Sequence, residues 1–265
     1  MGSEGTLGII TSAKLKIRNN PSKRILFVIE YKSMRDAVEN CIVINNTSPS
    51  AIEFVDETTL NQIKFKFNTD SKCLLFVEYD EKIVSNEKKL KHLITGKISK
   101  KLQSKKEMLT WWRYRDASLH YSLKSIKKEK RMPHIIEDAA VPLKDLPKLF
   151  STLDKINKKY NTRSIIYGHA GNGNMHVRMI SEESKKAVVK KIVKEYFYEI
   201  IKLKGTITAE HGDGLARSEF VRRQYGAKNY QIFKEFKEFF DPEGILNPGK
   251  IITNKSTVIK NINGT

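Results

Sequence analysis

The chain has 265 residues, 39% of them apolar and 30% charged, a composition that excludes a disordered or fibrous protein and allows a sizeable core. Lys and Arg number 49 against 30 Asp and Glu, giving a net charge of +19. The lysines are dispersed among abundant Ile and Asn, and the densest basic run, 124–131 (KSIKKEKR), carries no interleaved aromatics, so the charge predicts no nucleic-acid partner.

No apolar run reaches the roughly 18 residues a transmembrane segment needs. Residues 1–5 (MGSEG) have neither the basic start nor the apolar stretch of a secretory signal. Cys41 and Cys73 are the two cysteines and lie far apart, which excludes a disulfide scaffold and a thiolate metal cluster. A cytoplasmic location is expected, with peripheral attachment to a membrane as its variant.

Residues 2–10 (GSEGTLGII) are glycine-rich, and Pro21-Ser22 marks a break. Residues 25–31 (ILFVIEY) are β-branched and aromatic and predict a strand. A helix over 33–41 follows, with Ser33 as its N-cap. Residues 51–55 predict a strand and 57–63 a helix. Residues 73–79 (CLLFVEY) predict a third strand, followed by a lysine-rich helical stretch near 81–93. One longer helix is expected over 105–127, carrying Trp111, Trp112, Arg113 and Arg115. A strand over 135–141 stops at Pro142, an amphipathic helix covers 144–159, and 163–180 forms a hairpin. Val188, Ile192, Tyr196 and Ile200 have helical spacing within 182–203. Residues 240–244 (FDPEG) form a turn ahead of 245–252. Strands separated by helices, with a hairpin, predict an α+β fold: one largely antiparallel sheet covered by helices.

Within the hairpin, Asn172-Gly173 is a strong two-residue turn signal, because a type I′ turn needs positive φ at both central positions. Centring the turn there places His169 directly opposite His176. Two imidazoles so paired can chelate one divalent cation, and Gly168, Gly171 and Gly173 keep that face open. The competing reading is a plain hairpin with two incidental histidines. Further on, 205–214 reads GTITAEHGDG. Glu210 and His211 are adjacent and would point to opposite faces of a regular strand, but Gly212 and Gly214 allow a bend that lets both border one cavity. Glu210 then supplies an oxygen ligand beside the two imidazoles. His211 becomes a candidate base, since imidazole exchanges protons near neutral pH. Equally, either residue could cap the helix that follows near Arg217.

At these residues the sequence resembles the C-terminal half of the FAD-linked oxidase family, which includes glycolate oxidase subunits, D-lactate dehydrogenases and D-2-hydroxyglutarate dehydrogenase. Four segments in matching order carry the resemblance: GSEGTLGII at 2–10, GHAGNGNMH at 168–176, AEHGDGLARS at 209–218 and DPEGILNPGKII at 241–252. WRYRDA at 112–117 and IEDAAVP at 136–142 are most similar to larger members fused to iron–sulfur modules.

The resemblance implies a ferredoxin-like C-terminal domain over 21–253, preceded at 1–20 by the end of an FAD-binding domain and followed by a tail at 254–265. It implies His169, His176 and Glu210 as ligands of a divalent metal, zinc before iron or manganese. It makes His211 the catalytic base and Arg115, or else Arg113, the partner of a substrate carboxylate. Gly2, Ser3, Gly5, Gly8, Ile9 and Asn247 would lie against the flavin. The implied activity is an FAD-dependent 2-hydroxyacid dehydrogenase of D-lactate or glycolate type that passes hydride to flavin. FAD would come from a missing domain or partner subunit, with an iron–sulfur electron carrier as a further partner. The alternative is a non-catalytic remnant or interaction subunit of a flavoprotein complex. Asn172 stands where the family usually has Asp. Ile136 replaces a lysine and Arg178 an asparagine that hydroxyglutarate-type members use for substrate, so the substrate pocket differs. Most of the FAD domain is absent from the chain, which is expected to be a split subunit or a truncated gene product.

Overall fold

The computed structural model describes residues 2–63, 70–125, 136–181 and 186–253. The expected tail at 254–265, the start of the strand at 135, the end of the helix at 126–127, the first turn at 182–185 and most of the 124–131 basic run lie outside the described residues. The chain divides into two compact units, one of residues 20–132 with 141–184 and the other of 1–19, 133–140 and 185–265.

In the larger unit the elements are β1 (Ile25–Tyr31), α1 (Met34–Asn45), β2 (Ala51–Asp56), α2 (Glu57–Gln62), β3 (Cys73–Tyr79), α3 (Ile83–Leu93), β4 (Lys97–Leu102), α4 (Lys105–Asp116) and α5 (Ser118–Ser125). The smaller unit's β5 (Ala139–Ala140) intervenes in the chain, and α6 (Leu146–Tyr160), β6 (Thr162–His169) and β7 (Asn174–Ser181) then return to the larger unit. Its six strands form one antiparallel sheet in the order β4-β1-β3-β2-β6-β7. β3 lies between β1 and β2, which are joined through α1; this is the split βαβ arrangement of ferredoxin-like folds. The expected α+β class is therefore what the chain adopts.

Every residue of β1 and of β3 is buried. The cause is helices on both faces. Leu26, Val28, Leu74 and Phe76 join Met108, Trp111 and Leu60 from α4 and α2, while Phe54 of β2 meets Phe150 of α6 edge-on at 5.4 Å. Strands covered on both sides read as continuous apolar runs rather than as alternation. Ser33 caps α1 as expected, accepting from the Asp36 N–H.

In the larger unit three features depart from expectation. β4, KISKKL, went unforeseen; it is an edge strand, and lysines on an edge discourage pairing with other chains. The expected helix over 105–127 is two helices, broken at Ala117. The hairpin loop is four residues long, not two. A 3-10 turn, Ala170–Asn172, leads into Gly173 at φ 69°, and His169 pairs with Asn174 while His176 pairs with Tyr167.

Only glycine suits position 173. A Cβ there would lie 2.0 Å from the Val141 carbonyl oxygen, and the Gly173 carbonyl accepts from the Val141 N–H at 3.1 Å. Gly173→Ala is expected to cost roughly 2–4 kcal/mol, from left-handed strain plus backbone displacement. Urea unfolding of the two proteins measures this, and a loss under about 0.5 kcal/mol would contradict the close approach.

In the smaller unit, α7 (Lys186–Lys202) and α8 (Gly214–Phe240) pack through Phe197 and Phe220, whose rings are 4.9 Å apart. α8 is kinked at Gly226, where φ is 80° and ψ 164°. The strand expected over 135–141 is only the two residues of β5; Ala140 forms an isolated antiparallel bridge with Thr206. No helix of the described residues is long and apolar enough to cross a membrane.

Candidate active site

In the larger unit the site grows from strand register. Phe54 pairs with Gly168 and Val55 with Tyr167, so Glu53 comes opposite His169. Tyr167 and His169 share a face because they are two residues apart, and the β6–β7 pairing brings His176 onto it. The two histidines are diagonal rather than directly opposed. The register differs from expectation by two residues, and a shift of two, unlike a shift of one, keeps the same face. The His169 and His176 rings are 5.3 Å apart, edge to face. Tyr167 lies 5.4 Å from the His176 ring and backs it.

Two further side chains complete this face. Glu53 is 8% exposed, in a strand that is apolar apart from it and Asp56. Its Oε1 is 2.7 Å from His169 Nδ1, and its Oε2 accepts from Arg115 Nε at 2.7 Å and Nη2 at 2.5 Å. Arg115 comes from the last turn of α4 and reaches His169 Nδ1 at 3.2 Å through Nη2. Arg113, two residues earlier on the helix, is exposed. Of the two arginines, Arg115 is thus the one beside the histidines, with one edge of its guanidinium already on Glu53.

The smaller unit contains the other expected residues. Residues 208–211 bend around the buried carboxylate of Asp138. Its Oδ2 accepts from the Thr208 hydroxyl at 2.8 Å and from the N–H groups of Ala209, Glu210 and His211 at 3.0, 3.1 and 2.8 Å. The strand-like alternation expected at 205–210 is replaced by this bend. Glu210 and His211 project on its exposed side, with Oε1 and Nε2 3.6 Å apart. Asp138, Glu210 and His211 offer oxygen and nitrogen donors within 4.8 Å of one another. Neither Glu210 nor His211 caps α8. That role falls to Glu4, whose carboxylate accepts from the Asp213 and Gly214 N–H groups, where the helix dipole favours negative charge. A Cβ on Gly212, at φ 76°, would lie 2.8 Å from Glu4 Oε1 and disturb this cap.

Of the residues expected near a flavin, the Gly2–Gly5 turn and Asn247 come together: Asn247 Nδ2 donates to the Glu4 carbonyl at 2.6 Å. Thr6 donates to the Ser3 carbonyl through both its N–H and its hydroxyl. Lys237 ties the same segment down by donating to the Thr6 and Leu246 carbonyls and to Asp241. Ile9 is 82% exposed and, like Gly8, lies beyond this turn. Gly2, Ser3, Thr6 and Leu7 line a cavity of about 380 Å³ with Phe233 and Phe236 of α8.

Asp213 borders that cavity. Its Oδ1 is buried and has no hydrogen-bond partner among the described residues. Burial first, then the nearby Glu4 carboxylate, raises its pKa to about 6. The folded chain therefore holds this proton more tightly than the unfolded chain, whose aspartate titrates near about 3.9. The stability so gained is present below about pH 4 and is lost as pH rises through 6. Asp213→Asn should therefore gain stability over the parent between pH 4 and 7, which thermal melts at the two pH values measure; a constant difference would refute the assignment.

Sequence reasoning overlooked Glu53 and Asp138. The available signal was acids set among apolar residues, AIEFVD at 51–56 and IEDAA at 136–140, since buried charge needs a dedicated partner.

The family described as FAD linked oxidases, C-terminal domain, matches residues 20–251. The chain is 29% identical over 268 residues to the glycolate oxidase subunit GlcD of Bacillus subtilis, covering 95% of the chain and 56% of that protein. It is 26% identical to the mitochondrial D-lactate dehydrogenase (cytochrome) of Arabidopsis thaliana, covering 95% of the chain and 46% of that protein. The chain thus spans about half the length of the curated relatives it matches. Among solved structures, p-cresol methylhydroxylase with substrate bound superposes with a TM-score of 0.63 at 13% identity, over 89% of this chain and 54% of that one. An alkyldihydroxyacetonephosphate synthase gives 0.58 at 16%, over 94% and 48%. These two likenesses concern the fold.

Proposed function

Since the chain belongs to the C-terminal domains of FAD-linked oxidases, we propose that it is the substrate-binding part of an FAD-dependent 2-hydroxyacid dehydrogenase of D-lactate or glycolate type. The observation that carries this reading is the pair of imidazoles 5.3 Å apart on one sheet face, with Arg115 beside them. Imidazole and carboxylate donors suit a borderline divalent cation, zinc before iron or manganese, and His169, His176 and Glu210 are the residues that would hold it. When bound, the cation supplies Lewis-acid polarisation of the substrate oxygen, and FAD supplies the hydride acceptor.

The chain's own residues do the rest. His211 takes the proton of the substrate hydroxyl on an imidazole nitrogen. Arg115 orients the substrate carboxylate. Its Nε and Nη2 are engaged with Glu53, so this contact falls to Nη1. Gly2, Ser3, Gly5, Gly8, Ile9 and Asn247 form the wall next to the flavin, where a backbone turn without bulky side chains allows close approach. Residues 1–20 act as the last segment of the flavin-binding domain, 21–253 as the substrate and metal domain, and 254–265 as a tail.

The test is to purify the chain together with a flavin-binding domain that completes it. About one FAD and one divalent ion per complex are expected, with flavin bleaching on anaerobic addition of D-lactate or glycolate. His169→Ala should lose the metal. A complex loaded with FAD that no short 2-hydroxyacid reduces would end this reading. Failure to retain FAD with any completing domain would instead select the second reading, a non-catalytic interaction subunit.

A further inference from the structure

We infer that Glu53 is a positioning residue that holds His169 as its Nδ1–H tautomer and so aims Nε2 at the cation; the second part of this rests on the metal reading above. The geometry decides the tautomer. An ionised carboxylate can only accept, and Glu53 Oε1 is 2.7 Å from His169 Nδ1. Were Nδ1 a lone pair, two acceptors would face each other at that distance with no proton between them. Arg115 Nη2 is also near Nδ1, but at 3.2 Å, and it is closer to Glu53 Oε2 at 2.5 Å. The guanidinium thus serves the carboxylate, and the carboxylate serves the imidazole. Nδ1 being spent on Glu53, coordination falls to Nε2.

The arrangement is built into the fold. Glu53 comes opposite His169 by the β2–β6 register, and Arg115 arrives from α4. Both carboxylate oxygens are used, and Glu53 and Arg115 side chains are 11% and 12% exposed. A carboxylate on the far nitrogen of a metal-binding histidine fixes the ring and raises its basicity, and its loss commonly weakens metal binding about 10–100-fold.

Glu53→Gln has a predictable outcome. Arg115 can only donate, so it selects the amide oxygen. The amide NH2 is then left against His169 Nδ1, which must become an acceptor, and the proton moves to Nε2. Nitrogen-15 spectra of histidine-labelled 265-residue chain, recorded near pH 8 where free imidazole is neutral, read this directly once the His169 signal is assigned with His169→Asn. The expected result is Nδ1–H in the parent and Nε2–H in Glu53→Gln. Nε2–H in the parent overturns the inference, and that measurement needs only the parent and the His169→Asn assignment variant, not a folded Glu53→Gln.

Zinc competition titrations form the second arm, with about 10–100-fold weaker binding expected in Glu53→Gln. Unchanged zinc affinity in a variant whose tautomer has inverted overturns the role toward the metal. A parent chain that shows Nδ1–H but binds no zinc refutes the metal reading and leaves the tautomer assignment standing.

Discussion

Replacing Asp138 by alanine is expected to lower stability by about 3–5 kcal/mol, the largest effect of any single substitution described for this chain. One carboxylate oxygen accepts three consecutive backbone N–H groups and a threonine hydroxyl, and Asp138 is itself fully buried. Removing it strips the acceptor from the Glu210 and His211 N–H groups, at about 1–3 kcal/mol for each that water cannot reach, while the Ala209 N–H keeps the Asp138 carbonyl and the Thr208 hydroxyl keeps the Gly212 carbonyl. The exposed side of the bend lets some rehydrate, which keeps the total below the full sum. Asp138→Asn retains an acceptor oxygen and should lose less, about 1–2 kcal/mol. Urea unfolding followed by circular dichroism checks both values. A loss under about 1 kcal/mol for alanine would mean that other contacts hold residues 208–211.

His211→Ala carries the largest expected effect on activity. Loss of a general base typically costs about 10²–10⁴-fold in rate. In the complex completed with a flavin-binding domain, flavin reduction by the preferred 2-hydroxyacid should slow by that factor at saturating substrate. Metal content should stay near one ion per complex, since the proposed ligands His169, His176 and Glu210 remain. A rate within about twofold of the parent would take the base role from His211. Asp138→Ala should reproduce much of this loss indirectly, because it frees the backbone that presents His211. The two variants separate in the melt, since exposed His211 contributes little burial.

The difference between these residues shows where sequence reading stopped. His169, His176, Glu210 and His211 stand out because imidazoles near glycines in a turn-rich segment are chemically conspicuous. Glu53 and Asp138 do not, because an acid among apolar neighbours in the sequence looks like any outward-facing residue until the packing around it is known. The same blindness applied to β4: its lysines suit an exposed edge, but only the neighbouring β1 shows that KISKKL is a strand. The break between α4 and α5 at Ala117 has no glycine or proline to announce it.

Local chemistry was enough for the α+β class, for the strands at Ile25–Tyr31 and Cys73–Tyr79, and for the Ser33 cap, because β-branched runs and capping hydroxyls act over a few bonds. The hairpin's existence was equally local, but its register was not. Asn172-Gly173 fits a tight turn, yet the Val141 backbone pressed against Gly173 accompanies a longer loop that sets His169 diagonal to His176. Which acid meets which base depends on residues far apart in the chain, as with Glu53, Arg115 and His169. Such meetings are decided by strand order and helix packing, and no short stretch of residues encodes them.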